Sequence, residues 1–259
     1  MKNVYFIGIG GIGMSAIARF FLHEGKSVAG YDRVATPLTG ELEAAGVIVC
    51  YSDAIELIPE KYMDPKSTLV VYTPAVPATH RQLVYFNEHG FRVVKRSRIL
   101  GEVSRGKYVM AVAGTHGKSS TTTMVAYFNH CGSTDGTGSA FLGAISKNFI
   151  SNMVLGSGSR VAIEADEFDR SFLQLSPNIA LITSVDADHL DIYGTHQSLL
   201  DGFTDFTSQI VKGGTLIYHY GLPLSVKNKE IKIYTYSLND SQADFYATNI
   251  RQCEQGYYL

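Results

Sequence analysis

The run Gly114-Thr115-His116-Gly117-Lys118-Ser119-Ser120 follows an apolar stretch, Tyr108–Ala113, and leads into a segment of helical pattern. Glycines at such a strand-to-helix turn let consecutive backbone N–H groups converge on an anion, and the helix N-terminus adds roughly half a positive charge. Lys118 supplies a full charge for a terminal phosphate, and the hydroxyl that follows it suits a Mg²⁺ ligand. The loop is shorter than the strict nucleotide-binding signature, because valine stands at position 112 where that signature has glycine. Gly117 and Lys118 still open a helix behind a buried strand, so the physics survives. A merely Gly-capped turn with an exposed lysine leaves the hydroxyl run Ser119–Thr123 unexplained.

Two acidic clusters lie further along, each after an apolar strand pattern. Glu164-Ala165-Asp166-Glu167-Phe168-Asp169 ends Val161–Ile163, and Asp186-Ala187-Asp188-His189-Leu190-Asp191 follows Leu181–Val185. Both fall just beyond the carboxyl ends of strands, the edge where ligands bind in open α/β sheets. Carboxylate and imidazole groups there suit Mg²⁺ held between protein and phosphates. Near the N-terminus, Gly8-Ile9-Gly10-Gly11-Ile12-Gly13 satisfies G-x-G-x-x-G, with Asp32 at the end of the next strand. That pattern alone spells NAD, but the same geometry accepts any diphosphate-bearing nucleotide. His23, His89 and His219 have no partner pattern and read as structural or surface groups.

The elements that position these residues alternate strand and helix. Val4–Ile9, Val28–Tyr31, Val47–Val49, Thr68–Tyr72 and Phe91–Val94 read as strands, separated by helical patterns at 13–23, 42–45 and 81–89. That alternation implies right-handed crossovers and a mostly parallel sheet. A helix over 97–103 ends in the polar Ser104-Arg105-Gly106-Lys107, a candidate boundary. Beyond it come strands at 108–113, 160–165, 178–184, 215–219 and 231–236, with helices at 118–130 and 197–211. The small, polar stretch 132–139 reads as a loop. The expected fold is α/β, a Rossmann-like parallel-sheet domain over 1–105 followed by a phosphate-loop domain over 106–259.

A net charge of −2 without a basic run argues against a nucleic-acid binder. No apolar stretch approaches the ~18 residues of a membrane span, and Gly8 breaks the N-terminal apolar run short of a signal peptide. Cys50, Cys131 and Cys253 are far apart and odd in number, as expected of buried or free thiols in a reducing cytoplasm.

GIGGIGMSAIA at Gly8–Ala18, GTHGKSSTT at Gly114–Thr122, EADEFDRSFL at Glu164–Leu173 and DADHLDIYG at Asp186–Gly194 together resemble the Mur ligases of peptidoglycan synthesis. The resemblance holds in order and spacing across essentially the whole chain, and it is closest to the branch that joins L-alanine to UDP-N-acetylmuramate. It implies that the first glycine turn holds the diphosphate of a UDP-sugar rather than NAD. Gly10, Gly11, Gly13 and Ser15 would contact the UDP moiety, with Asp32 and Thr73 as weaker carry-overs. The loop Gly114 to Ser120 would bind ATP, with Lys118 cradling its phosphates and His116 facing the phosphates or substrate. Ser119, Glu164 and His189 would hold Mg²⁺.

Three departures stand beside the resemblance. Ser119-Ser120 replaces the usual threonine pair but keeps both hydroxyls. No lysine occurs between His189 and Val211, where several Mur ligases carry a carbamylated one; the L-alanine-adding branch is similar in lacking it. Mur ligases have three domains, whereas this sequence stops partway through the central one. The expectation is therefore a chain that binds substrate and turns over weakly or not at all. A ligase that recycles whole peptides is the nearest alternative. An NAD-dependent oxidoreductase is the alternative from another class, and it leaves Lys118 and the acidic clusters without a role.

Overall fold

The computed structural model describes residues 1–132, 137–253 and 256–258. Met1–Arg105 with Ala126–Ser159 form one compact unit, and Gly106–Val125 with Arg160–Leu259 a second. Residues 133–136 of the expected polar loop lie outside the described residues, as does the side chain of Cys253. Cys50, half-buried, and Cys131, exposed, are free thiols. Among the described residues no helix is long and apolar enough to cross a membrane.

The first unit opens with β1 (Asn3–Ile7), α1 (Ile12–His23), β2 (Ser27–Tyr31), α2 (Pro37–Ala44), β3 (Ile48–Cys50), β4 (Thr68–Tyr72), α3 (Arg81–Glu88), β5 (Arg92–Lys95) and α4 (Arg96–Ser104). Its five strands lie in the order β3-β2-β1-β4-β5, all parallel. Every residue of β1 is buried, which fits the central strand of a sheet covered on both faces. Tyr5 and Ile7 pack with Ala29, Val70, Leu83 and Phe86 on one side, and Phe6 meets Phe21 elsewhere. Burial of the Tyr5 phenol is offset by its hydrogen bond to Gln82 Oε1 at 3.0 Å. The expected strand Val4–Ile9 ends two residues early, because Gly8 takes a φ of +88°. The turn Gly8–Gly11 therefore leaves β1 beside β4, at the point where the strand order reverses, the usual ligand edge of such sheets.

Past Arg105 the chain forms β6 (Tyr108–Ala113) and α5 (Lys118–Cys131). It then makes an antiparallel hairpin, β7 (Ser139–Ser146) and β8 (Ser151–Val154), that belongs to the first unit. The sequence pattern assigns no element here, since four consecutive buried residues of β7 hide the alternation of a strand. The hairpin packs on α1: Phe141 lies 5.8 Å from Phe20, ring to ring. Asn152, fully buried, donates from Nδ2 to Ile12 O at 2.6 Å and to Ser15 Oγ at 2.8 Å. Replacing it removes two hydrogen bonds from buried acceptors and leaves them only the bond from Ser15 Oγ to Ile12 O at 3.1 Å. Asn152→Ala is expected to cost about 1–3 kcal/mol in urea denaturation; a loss below about 0.5 kcal/mol would show that the tether carries no weight.

The second unit continues with β9 (Arg160–Glu164), a 3₁₀ segment (Phe168–Gln174), β10 (Ile179–Ile182), α6 (Leu190–Tyr193) and α7 (His196–Ser208). β11 (Thr215–His219), β12 (Lys232–Ser237), β13 (Phe245–Tyr246) and a small antiparallel pair, β14 (Arg251–Cys253) with β15 (Gly256–Tyr258), follow. Within this unit the strands run parallel in the order β13-β12-β11-β10-β6-β9. β6 is thus central, flanked by β9 and β10, and the loops after all three strands share its carboxyl edge. Phe172 of the 3₁₀ segment stacks on Phe206 of α7 at 4.9 Å. That contact anchors the chain just downstream of the first acidic cluster.

Candidate functional site: two phosphate cradles

In the second unit, β6 ends at Ala113 and the turn Gly114–Gly117 feeds α5. Gly114 has a φ of +133° and Gly117 of +81°. A Cβ on Gly114 would run into Thr183 Oγ1 and come within 2.9 Å of Ser184 N. Only glycine fits. The segment after β10 braces the turn: Thr115 N donates to Ser184 O at 3.1 Å and His116 N to Ser184 Oγ at 2.8 Å. Thr183 Oγ1 donates to His116 O at 2.5 Å, and Asp186 N to Thr115 Oγ1 at 3.0 Å. These bonds fix the turn before any ligand arrives. The first-turn N–H groups of α5, which have no intrahelical acceptor, are left to face an anion.

Lys118 and Ser119 at the head of α5 each meet one acid of the first cluster. Lys118 Nζ donates to Glu167 Oε1 at 2.7 Å and to Gly114 O at 2.6 Å. Ser119 Oγ donates to Glu164 Oε1 at 3.0 Å. Glu167 is the acid that the sequence reading passes over. Its side chain is fully buried, and its Oε2 has no hydrogen-bond partner. Burial pushes its carboxyl above the ordinary range, and the Lys118 ammonium pulls it back down.

His189 stands beside Glu167, with Nε2 3.6 Å from Glu167 Oε1 and 3.8 Å from Asp188 Oδ2. Its φ of 51° is left-handed, and it caps the short α6. Tyr193 closes the far side by donating to the Glu167 carbonyl at 2.7 Å, and burial pushes its phenol up to about 12. His116 points outward: its Nε2 is 3.8 Å from Asp186 Oδ2, and both side chains are largely exposed. Ser120 is exposed as well.

Among the described residues no group of three His, Cys, Asp or Glu side chains forms a metal cage. The adjoining Ser119 hydroxyl and Glu164 carboxylate nevertheless suit Mg²⁺, which takes one or two protein oxygens and completes its shell with phosphates and water.

The first unit holds a cleft of about 400 Å³ at its glycine turn. Gly10, Gly11, Asp32 and Thr73 line it, joined by Tyr31 and His80. Asp32 Oδ2 accepts from Gly10 N at 2.7 Å, and Oδ1 from Val34 N at 3.3 Å. His80 caps α3, its Nδ1 accepting from Leu83 N at 3.4 Å, and its ring leans on Tyr31 at 4.4 Å. The sequence gives no partner pattern for His80; its place follows from the turn after β4.

Two expected members lie outside this lining. Ser15 is fully buried, donating to Ile12 O and accepting from Asn152. Gly13 faces Arg96, whose guanidinium occupies the space a Cβ would need.

Comparison with known proteins decides the family. The model of the Mur ligase family catalytic domain matches residues 3–108, and that of the Mur ligase middle domain matches residues 112–259. The chain belongs to the Mur ligase family. The UDP-N-acetylmuramate–L-alanine ligase of Porphyromonas gingivalis is 49% identical over 252 residues, 96% of this chain and 55% of that protein. The ligase of the same name from Christiangramia forsetii is 46% identical and aligns with 100% of this chain and 55% of its own length.

Among solved structures, the UDP-N-acetylmuramate–alanine ligase MurC of Thermotoga maritima superposes with a TM-score of 0.77 at 26% identity, covering 92% of this chain and 53% of that one. A murein peptide ligase of Psychrobacter arcticus reaches a TM-score of 0.79 at 23% identity, covering 97% and 56%, a likeness of fold. The chain spans about 55% of the length of the curated relatives it matches. Of the motifs read in the sequence, GIGG at Gly8–Gly11 forms the turn of the first cleft, and GTHGKSS with EADEFD forms the Lys118 centre.

Proposed function

We propose that this chain carries the nucleotide-handling portion of an ATP-dependent UDP-N-acetylmuramate–L-alanine ligase. Residues 1–105 would bind the UDP-sugar and residues 106–259 ATP. The observation that carries the reading is the pairing of Lys118 with Glu167 and of Ser119 with Glu164 at the mouth of a braced phosphate turn. A dinucleotide oxidoreductase has no use for that centre. The near-half identity to ligases of this name supports L-alanine as the amine, whereas the peptide-ligase structures match at a level that speaks for fold alone.

The chemistry explains why one chain needs two phosphate cradles. A carboxylate does not condense with an amine at neutral pH, so it must first be phosphorylated by the terminal phosphate of ATP. The amine then displaces that phosphate, giving the amide, ADP and inorganic phosphate. Lys118 and the α5 N-terminus would neutralise charge on the phosphates, where positioning and electrostatics supply most of the rate. Ser119 and Glu164 would hold Mg²⁺, with His189, which stands beside Glu167, as the further ligand that the resemblance implies. When bound, Mg²⁺ adds further charge neutralisation. His116, on the exposed lip of the turn, would meet the incoming phosphates or substrate. In the first cleft, the turn through Gly10 and Gly11 would lie against the UDP moiety, with Asp32 and Thr73 beside it.

Calorimetry on the 259-residue chain tests this directly. UDP-N-acetylmuramate is expected to bind at one site and Mg-ATP at another, each without blocking the other. Binding of NADH with no response to UDP-N-acetylmuramate would overturn the reading.

A further inference from the structure

Asp32 stands where a ribose-reading acid belongs in a Rossmann-like unit, yet its carboxylate is already engaged. Oδ2 accepts the Gly10 N–H at 2.7 Å, and Oδ1 takes the Val34 N–H at 3.3 Å. The Gly10 N–H is one of the donors that a glycine turn would otherwise aim at a phosphate. A carboxylate–amide bond of this length is charge-assisted and stronger than a neutral one.

The surroundings are built to keep it. A Cβ on Gly10 would sit 2.9 Å from Asp32 Oδ2 and 2.8 Å from Thr39 Cγ2, so only glycine lets the acid approach. Thr39 is itself buried and locked by a reciprocal capping box with Thr36 at the start of α2. The stretch from Asp32 to Thr39 thus wraps the turn from one side. Gly8 N and Ile9 N are bonded to Tyr31 O at 2.7 and 2.9 Å, which commits the two donors before Gly10 as well.

We propose that Asp32 is a positioning residue of the first cleft: its carboxylate holds the Gly10 N–H and so shapes the turn, and with Gly11 N bonded to Gly8 O at 3.3 Å the diphosphate is left to the first-turn N–H groups of α1. Asp32 then acts on ligand affinity through the backbone rather than by reading a ribose hydroxyl. This rests on the UDP-sugar reading of the cleft.

The test compares Asp32→Ala and Asp32→Asn with wild type by calorimetry, using UDP and 2′-deoxy-UDP. Asparagine keeps an oxygen that can accept from Gly10. Asp32→Ala is expected to weaken both ligands equally, by about tenfold, the scale of one charge-assisted hydrogen bond, and Asp32→Asn to recover most of the loss. A loss confined to UDP, leaving 2′-deoxy-UDP untouched, would make Asp32 a ribose reader and overturn the proposal. The Gly10 amide resonance supplies a ligand-free reading. It is expected far downfield in wild type, upfield in Asp32→Ala, and unmoved when UDP binds wild type. A Gly10 resonance that shifts strongly on adding UDP would mean the phosphate takes this donor, and the proposal fails. Wild type that binds neither ligand while keeping a downfield Gly10 resonance would instead refute the UDP-sugar reading, leaving the Asp32–Gly10 bond intact.

Discussion

Lys118→Ala is expected to weaken Mg-ATP binding about a hundredfold while UDP-N-acetylmuramate affinity stays within about twofold. The ammonium supplies the one full positive charge within Gly114–Ser120, and it is only partly screened: its side chain is 15% exposed. Two of its three N–H donors are spent on Gly114 O and Glu167, which aims the group and leaves one donor for phosphate. Losing a full charge in such a half-buried setting removes more than an ordinary hydrogen bond. The first cleft belongs to the other compact unit and uses none of this. Calorimetry with each ligand alone checks the prediction; a parallel loss of both affinities would refute two independent cradles.

Glu167→Ala is expected to cost about 3 kcal/mol of stability, a fall of roughly 6–12 °C in Tm for a chain of this size. The carboxylate is fully buried against Lys118, so truncation leaves a cation beside apolar walls and opens a cavity. Glu167→Gln keeps the volume and an acceptor for Nζ, and a smaller loss is expected. Wild type also carries a pH signature. Burial raises the folded carboxyl above its ordinary 4.5, so the folded state holds this proton more tightly than the unfolded chain. That share of stability is complete below the unfolded value and is lost as pH rises through the folded one. Glu167→Gln removes it. Thermal unfolding across pH checks both statements. A double-mutant cycle with Lys118→Met sharpens them, because additive losses would show that the buried pair does not couple.

Much of this protein is legible in its residues because the signals are local. Strand Thr68–Tyr72, strand Tyr108–Ala113 and strand Thr215–His219 are read with the observed ends. Each is an apolar run stopped by proline, glycine or polar residues. The turns at Gly8 and Gly114 are equally readable, since a positive φ next to a strand end leaves glycine as the residue that fits. The hairpin over 139–154 was not legible. Small residues break its alternation, and its burial comes from α1, more than a hundred positions away in sequence.

Legible without any structure are the two strand–turn–helix glycine turns, the order of acidic clusters behind the second, and the family. All of these are written in short-range backbone preference and in motif spacing. Which acid meets which partner came from packing between distant parts of the chain. Four acids crowd residues 164–169, and packing of the Phe168–Gln174 segment on α7 buries Glu167 against Lys118 while Glu164 meets Ser119. Tertiary structure also withdrew Ser15 from the first cleft, through a hydrogen bond from Asn152, and turned Asp32 onto the Gly10 N–H. Such choices depend on which groups lose water together on folding. Partners distant in the chain set that, and no local pattern records it.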